Sequence, residues 1–337
     1  MENSKNLKDI FCSSKKIALF THVNPDGDAI GSTVGLAHVI RNCSESEVRI
    51  ITPNRTPVHL GTIKGFDMVT DYIAKTAQCD KYIADCDLLV CVDFSDYNSR
   101  VGNLTPAIEA NEKALKIVFD HHMSPDLSPF FVAYCDEKES SAAHVVLRAL
   151  KENDMLEYLD NNAATALYTG MMTDTGNFSY GNLSAEMYRN IAILIEKGVD
   201  PTEVNNRIFN VRRENSLRLN GYATEKKMIV NYPAKAAVIT LTAKELTKFG
   251  YASGDTEGLV NLPLSIEGIN NAALFIEQDG FVKVSLRSTK GAGKDVNQFA
   301  RKYFNGGGHI NAAGGRAFNT TVEQCAELFI RNIDRRR

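Results

Sequence analysis

Apolar residues in the first half of the chain come in short, β-branched runs separated by longer mixed segments. Lys16 to His22 (KIALFTH), Val48 to Thr52, Asp87 to Asp93 (DLLVCVD) and Lys116 to Asp120 (KIVFD) each read as a buried strand. A glycine-rich turn and a helical stretch over Ala29 to Arg41 follow the first run. Strands alternating with helices predict a doubly wound, mainly parallel sheet. From Ser140 to about Leu194 the pattern turns helical, through SSAAHVVLRALKEN, NNAATALYTGMMT and SAEMYRNIAILIEKG. The last of these stops at Gly198, with Pro201 just beyond, a sound helix-stop signal.

Residues 199–225 are polar and helix-prone and read as a helical linker. Strand patterns resume at Ala236 to Leu241, Ala272 to Ile276 and Phe281 to Leu286. A glycine-rich segment, GAGKDVNQFARKYFNGGGHINAAGG, and a closing helix over Val322 to Ile333 complete a smaller α/β domain. The organisation expected is therefore a domain over 1–198, a linker over 199–225 and a second domain over 226–337. A length of 337 residues, at roughly 150 per domain, agrees with two domains.

Composition narrows the class. With 44% apolar and 23% charged residues, a disordered or fibrous chain is excluded. Runs such as Leu88 to Val92 and Ile191 to Ile195 fall far short of the ~20 residues a membrane helix needs. MENSKNLKDIF has no apolar core of signal-peptide type. The seven cysteines, at 12, 43, 79, 86, 91, 135 and 325, are odd in number and lack CxxC spacing. They read as free thiols in a reducing cytoplasm, so a cytoplasmic protein without a membrane partner is expected. Residues 281–337 carry 11 Lys and Arg against 4 Asp and Glu, and residues 1–280 carry 27 against 37. Part of the basic excess is the tail Arg335, Arg336 and Arg337. An acidic body suits cation binding, and a basic C-terminal end attracts a polyanion.

Four segments carry candidate chemistry. His22-Val-Asn-Pro-Asp26-Gly-Asp28 follows the first predicted strand, Asp93 ends the third, and Asp120-His121-His122 follows the fourth. Asp174, in MMTDTGNF, closes an apolar helix whose small residues, such as Gly170, permit close backbone approach. Each has an ordinary structural explanation alone; PDGD is a common turn, with Asp28 as a helix cap. Together, three of the four lie at the carboxyl edge of predicted parallel strands, where α/β sheets bind ligands. Carboxylates and imidazoles without cysteine favour Mn²⁺ or Mg²⁺ over structural zinc. The donors are too many for one ion, and two ions about 3.5–4 Å apart suit in-line displacement at phosphorus.

These segments resemble the DHH phosphoesterase superfamily, whose namesake motif stands here as Asp120-His121-His122. HVNPDGDAIGS is similar to its first motif, VDFSD to its second and MMTDTGNF to its fourth. Gly306-Gly307-Gly308-His309, with INAAGG after it, is similar to the signature of the DHH-associated domain. The resemblance covers nearly the whole chain and points to the short, two-domain bacterial subfamily that degrades nanoRNA (NrnA-type oligoribonucleases). It implies a catalytic domain with a dinuclear metal site over 1–198 and a substrate-binding domain over 226–337, the active site lying in the cleft between them.

Carried over, the resemblance implies that His22, Asp26 and Asp93 bind one Mn²⁺. Asp28, Asp93, His121 and Asp174 would bind the other, so Asp93 bridges. Mg²⁺ or Co²⁺ are substitutes. Asp120 would orient a ligand histidine, and His122 would face the scissile phosphate. Gly306 to Gly308 would turn backbone N–H groups toward an anionic oxygen, His309 would add a donor or stack on a base, and Arg287 would clamp a phosphate. The expected activity is Mn²⁺-dependent hydrolysis of oligoribonucleotides of ~2–5 residues and of 3′-phosphoadenosine 5′-phosphate. Alternatives are a phosphodiesterase for cyclic di-AMP or pApA, and a non-catalytic RNA-binding or sensor protein. No obligatory protein partner is evident; a homodimer is implied by the family alone.

Overall fold

The computed structural model describes residues 6–96, 100–123, 126–179 and 181–334, so Arg335, Arg336 and Arg337 lie outside the described residues. The chain divides into two compact units, Met1–Val211 and Arg212–Arg337. The division falls inside the segment 199–225, which forms the helices Pro201–Ile208 and Glu214–Tyr222.

The first unit is built on six parallel strands: β1 (Lys16–Phe20), β2 (Glu47–Thr52), β3 (Val69–Asp71), β4 (Leu88–Val92), β5 (Leu115–Asp120) and β6 (Val132–Cys135). Their order is β3-β2-β1-β4-β5-β6. The four strands read from the sequence are the four central ones. Those at the edges, β3 and β6, are three and four residues long and half-buried; β3 (VTD) is too short and polar to make an apolar run, whereas β6 lies in the apolar run Phe130 to Cys135 that the sequence reading passed over. Side chains alternate across the sheet. Ile17, Leu19, Val90 and Ile117 join one apolar layer; Ala18, Phe20, Leu89 and Val118 join the other. Both faces are covered, so the central strands are apolar throughout.

Helix Gly27–Cys43 starts two residues before the expected Ala29, because Asp26 caps it: its Oδ1 accepts from the N–H groups of Asp28 and Ala29. Asp28, the cap in the ordinary explanation of PDGD, is instead buried inside the first turn. The helix packs against helix Asn161–Asp174 through a seam of glycines. A Cβ on Gly31 would lie 2.5 Å from the Ala166 carbonyl oxygen and 2.6 Å from Gly170 N. Both obstacles are backbone, so no rotamer change relieves them. A Cβ on Gly170 would meet Asp28 Oδ1 at 2.8 Å. The close approach expected from Gly170 thus brings Asp28 beside the helix that ends in Asp174.

The second unit holds a mixed sheet of β7 (Met228–Asn231), β8 (Ala236–Leu241), β9 (Asn271–Gln278), β10 (Phe281–Ser288), β11 (Gly307–Gly308) and β12 (Ala312–Ala317). The order is β11-β12-β10-β9-β8-β7, with β8 and β9 parallel and the other neighbours antiparallel. The sequence AAGGRA of β12 carries no strand signal. Its glycine is required where Gly315 passes under the Phe304 carbonyl, 2.4 Å from the position a Cβ would take.

Two glycine substitutions separate packing from helix propensity. Gly31→Ala should lower the stability of the protein by about 1–3 kcal/mol, overpacking outweighing the gain in propensity. Gly221, in helix Glu214–Tyr222, has nothing within 4 Å of a built Cβ. Gly221→Ala should therefore raise stability by about 0.5–1 kcal/mol. Denaturant melts of both variants check the pair; the same sign for both contradicts the seam.

Candidate metal centre

The strand order reverses direction between β1 and β4, the switch point where open α/β sheets form a crevice at the carboxyl ends of their strands. His22 stands two residues beyond β1, Asp93 directly follows β4, and Asp120 ends β5 with His121 and His122 after it. Parallel pairing of β1 with β4 and of β4 with β5 brings these ends side by side.

The loop after β1 is fastened to the residues after β2. Asn24, with φ +56°, donates its N–H to Asn54 Oδ1 at 2.6 Å, and Asn54 Nδ2 donates to Asn24 Oδ1 at 3.0 Å. His22 Nδ1 lies 2.9 Å from the Val23 carbonyl oxygen, and its Nε2 lies 3.2 Å from Asp93 Oδ2 and 4.0 Å from Asp26 Oδ1.

Asp93 has φ +68°, a left-handed conformation that is costly for a residue with a Cβ. Its N–H still donates to the Phe119 carbonyl oxygen at 2.8 Å, so strand pairing continues into the turn. Its carboxylate is almost completely sealed from solvent. Oδ1 meets His121 Nε2 at 3.3 Å and His122 Nδ1 at 3.7 Å without hydrogen-bond geometry to either. A buried carboxylate oxygen without a hydrogen-bond donor carries a desolvation cost that a bound cation would offset.

Asp28 is held by a helix N-terminus: its Oδ2 accepts from Ala142 N at 2.6 Å and its Oδ1 from Ala143 N at 3.0 Å. That helix, Ala142–Glu152, is capped by Ser141. His121 Nε2 lies 3.8 Å from Asp28 Oδ2 and 3.5 Å from Asp174 Oδ2. All six residues expected as metal ligands therefore converge. Donor atoms of His22, Asp26 and Asp93 lie within 4.8 Å of one another, and so do those of Asp28, Asp93 and His121. Asp93 belongs to both groups.

The electrostatics are those of a site crowded with carboxylates. Burial, then the charges of Asp93 and Asp174, push Asp28 well above the ordinary carboxylate range. Burial raises Asp174 to about 7, His121 opposing it and Asp26 and Asp93 adding to it. Burial also works to raise Asp93, but the imidazoles of His121 and His22 outweigh it and hold its carboxyl well below its usual range. Burial disfavours a charged His22, yet Asp93 and then Asp26 push it up to about 9. In this arrangement protons on imidazoles and carboxylates do the neutralising that a divalent cation does better. Hard oxygen and imidazole donors fit such a cation.

Asp120 acts differently from expectation. It was expected to orient a ligand histidine, but its Oδ1 lies 2.7 Å from His122 Nδ1 and accepts from the backbone N–H groups of His121 and His122. The imidazole it orients is that of His122. In the second unit, the nest expected of Gly306 to Gly308 is not what their hydrogen bonds form. Gly306 N donates to the Ala300 carbonyl, Gly308 N to Asn297 Oδ1 and His309 N to the Ala312 carbonyl. A Cβ at Gly306 would lie 1.9 Å from the Gly314 carbonyl oxygen and one at Gly308 2.5 Å from the Ala312 carbonyl oxygen, so these two glycines serve close packing of β11 on β12. Arg287 pairs in register with Ala312, which places it at the sheet end occupied by the His309 turn. Two contributors escaped the sequence reading: the Ala142 and Ala143 amides, and the Glu139 carbonyl, 3.3 Å from His121 Nδ1. Ser141 before an apolar helical run was the signal for the first.

The DHH family, N-terminal domain, matches residues 16–171, and the DHHA1 domain matches residues 234–336. A solved structure, that of an exopolyphosphatase-related protein from Bacteroides fragilis, is 34% identical with a TM-score of 0.90. The match covers 96% of this chain and 92% of that one. The chain belongs to the DHH family. Curated relatives include the bifunctional oligoribonuclease and PAP phosphatase NrnA of Bacillus subtilis, 27% identical over 90% of both chains. The probable enzyme of that name from Streptococcus mutans is 28% identical over 94% of both. Among the described residues of this family member, no helix is long and apolar enough to cross a membrane.

Divalent cations should stabilise the folded protein by mass action. Mn²⁺ at about 100 times its dissociation constant should add about 2.7 kcal/mol, and Asp93→Asn should remove most of that gain. Thermal melts of chelator-treated protein with and without Mn²⁺ check this.

Proposed function

We propose that this chain, a phosphoesterase of the DHH family, uses two Mn²⁺ to hydrolyse oligoribonucleotides of about 2–5 residues to 5′-mononucleotides. In the same reading it converts 3′-phosphoadenosine 5′-phosphate to AMP. The observation that carries the proposal is the position of Asp93, common to two groups of metal-ligating side chains at the switch point of the sheet. The names of the Bacillus and Streptococcus relatives, oligoribonuclease and PAP phosphatase, support the substrate class.

His22, Asp26 and Asp93 would hold one cation, and Asp28, Asp93, His121 and Asp174 the other. When bound, such cations lower the pKa of water and offset the charge of a phosphoryl group. The chain's own residues do the rest. The left-handed turn at Asp93 and the amides on Asp28 fix two carboxylates before substrate arrives, so little reorganisation accompanies the reaction. Asp120 holds the His122 ring steady to donate a proton toward a phosphoryl or leaving oxygen. Arg287 takes a phosphate through its guanidinium fork, and His309 adds a donor or a stacking surface for a base. Gly306 and Gly308 keep the hairpin that carries His309 narrow.

Hydrolysis of a labelled dinucleotide should require Mn²⁺, and Asp93→Ala should lose more than about nine-tenths of the rate. A variant keeping more than that remainder contradicts the bridging role. Binding of the dinucleotide without turnover in Mn²⁺ favours the sensor reading. Arg287→Ala should raise KM for a dinucleotide far more than for a small generic phosphodiester; equal effects on both contradict its contact with the nucleotide.

A further inference from the structure

One turn, residues 136–141, touches two of the proposed ligands from behind. At Glu139 its carbonyl meets His121 Nδ1, and through Ser141 it delivers the Ala142 and Ala143 amides to Asp28. The turn is itself gripped. Lys138 N donates to Asp136 Oδ1 at 3.0 Å, and Ser140 Oγ donates to the Asn182 carbonyl at 2.7 Å. Asn182 Nδ2 reaches the Lys138 carbonyl.

The Glu139 carboxylate anchors this segment to helix Ala142–Glu152. One oxygen pairs with Arg148, whose Nη1 also reaches Asp136 Oδ2 at 3.0 Å. The other meets Nδ1 of His144, a fully buried imidazole that none of the proposed chemistry uses. His144 Nε2 lies 2.9 Å from Asn190 Nδ2, and Asn190 Oδ1 faces Lys151 Nζ at 3.4 Å. An ammonium can only donate, so it orients the Asn190 amide, which then donates to Nε2. His144 Nδ1 consequently carries the ring proton, and that nitrogen lies in close ion-pair contact with Glu139 Oε2 without hydrogen-bond geometry. Lys151 and Asn190 thus fix the His144 ring by hydrogen bonds, and the ring packs its Nδ1 against the Glu139 carboxylate behind a candidate metal ligand.

We propose that Glu139 is a positioning residue. Locked by Arg148 and His144, it aims its main-chain carbonyl at His121 Nδ1 and so presents Nε2 of that ring to a divalent cation. The proposal rests on the metal-centre reading above. Histidine ligands whose other ring nitrogen is fixed by a hydrogen bond lose affinity by about 10–100-fold when that support is removed. The effect belongs to the Asp28, His121 and Asp174 side of the site. The His22 side has its own support, from the Val23 carbonyl.

The test measures Mn²⁺ binding directly, by electron paramagnetic resonance of free Mn²⁺ in titrations of the full chain without substrate. Glu139→Gln keeps the shape and removes the charge. It should weaken one class of bound Mn²⁺ at least about tenfold, leaving the other class and the metal-free melting temperature close to wild type. A merely structural role would loosen both classes together. Arg148→Met, at a half-exposed position, should weaken the same class and carries the test if Glu139→Gln does not fold. Two unchanged classes in a folded variant, or equal weakening of both, overturn the proposal alone. Absence of Mn²⁺ binding by the wild-type chain overturns the metal-centre reading, and the proposal with it.

Discussion

Three carboxylates, Asp28, Asp93 and Asp174, are forced together around His121 at the carboxyl end of the parallel sheet, and their mutual repulsion is the constraint on which this part of the molecule turns. Burial first, and the neighbouring carboxylates after it, disfavour ionisation, which is why Asp28 and Asp174 stand above the ordinary carboxylate range while Asp93, flanked by imidazoles, stands below it. Such a cluster lowers the stability of the fold unless something positive enters it.

The surrounding architecture reads as the means of holding that cluster in place. The glycine seam lets helix Gly27–Cys43 approach helix Asn161–Asp174 closely enough for Asp28 and Asp174 to face one imidazole. The N-terminus of helix Ala142–Glu152 gives Asp28 two amides, a fixed partial positive charge. The left-handed turn at Asp93 places its carboxylate between His22 and His121. Backbone, not flexible side chains, supplies these supports.

Much of this was legible in the chain. Apolar runs ending in Asp93 and in Asp120-His121-His122 announced both buried parallel strands and their carboxyl-edge chemistry, because strands covered on both faces leave polar residues only at their ends. What stayed hidden depended on tertiary context. Edge strand β3 is three residues long and half-buried, so hydrophobic periodicity does not mark it; β6, by contrast, lies in a legible apolar run, Phe130 to Cys135. Strand β12 is glycine-rich for close packing, which removes its propensity signal. Asp26 rather than Asp28 caps the helix because a cap is decided by which carboxylate the following amides meet, and Asp28 has partners in the amides of a distant helix. The GGGH segment likewise looks like an anion nest until its amides are followed to Ala300, Asn297 and Ala312.

Anomalous scattering from crystals of the protein soaked in Mn²⁺ addresses the central claim most directly. A shared Asp93 predicts two peaks flanking its carboxylate, one on the side of His22 and Asp26, the other on the side of Asp28, His121 and Asp174. Crystals that take up Mn²⁺ elsewhere, with no peak against Asp93, would contradict it.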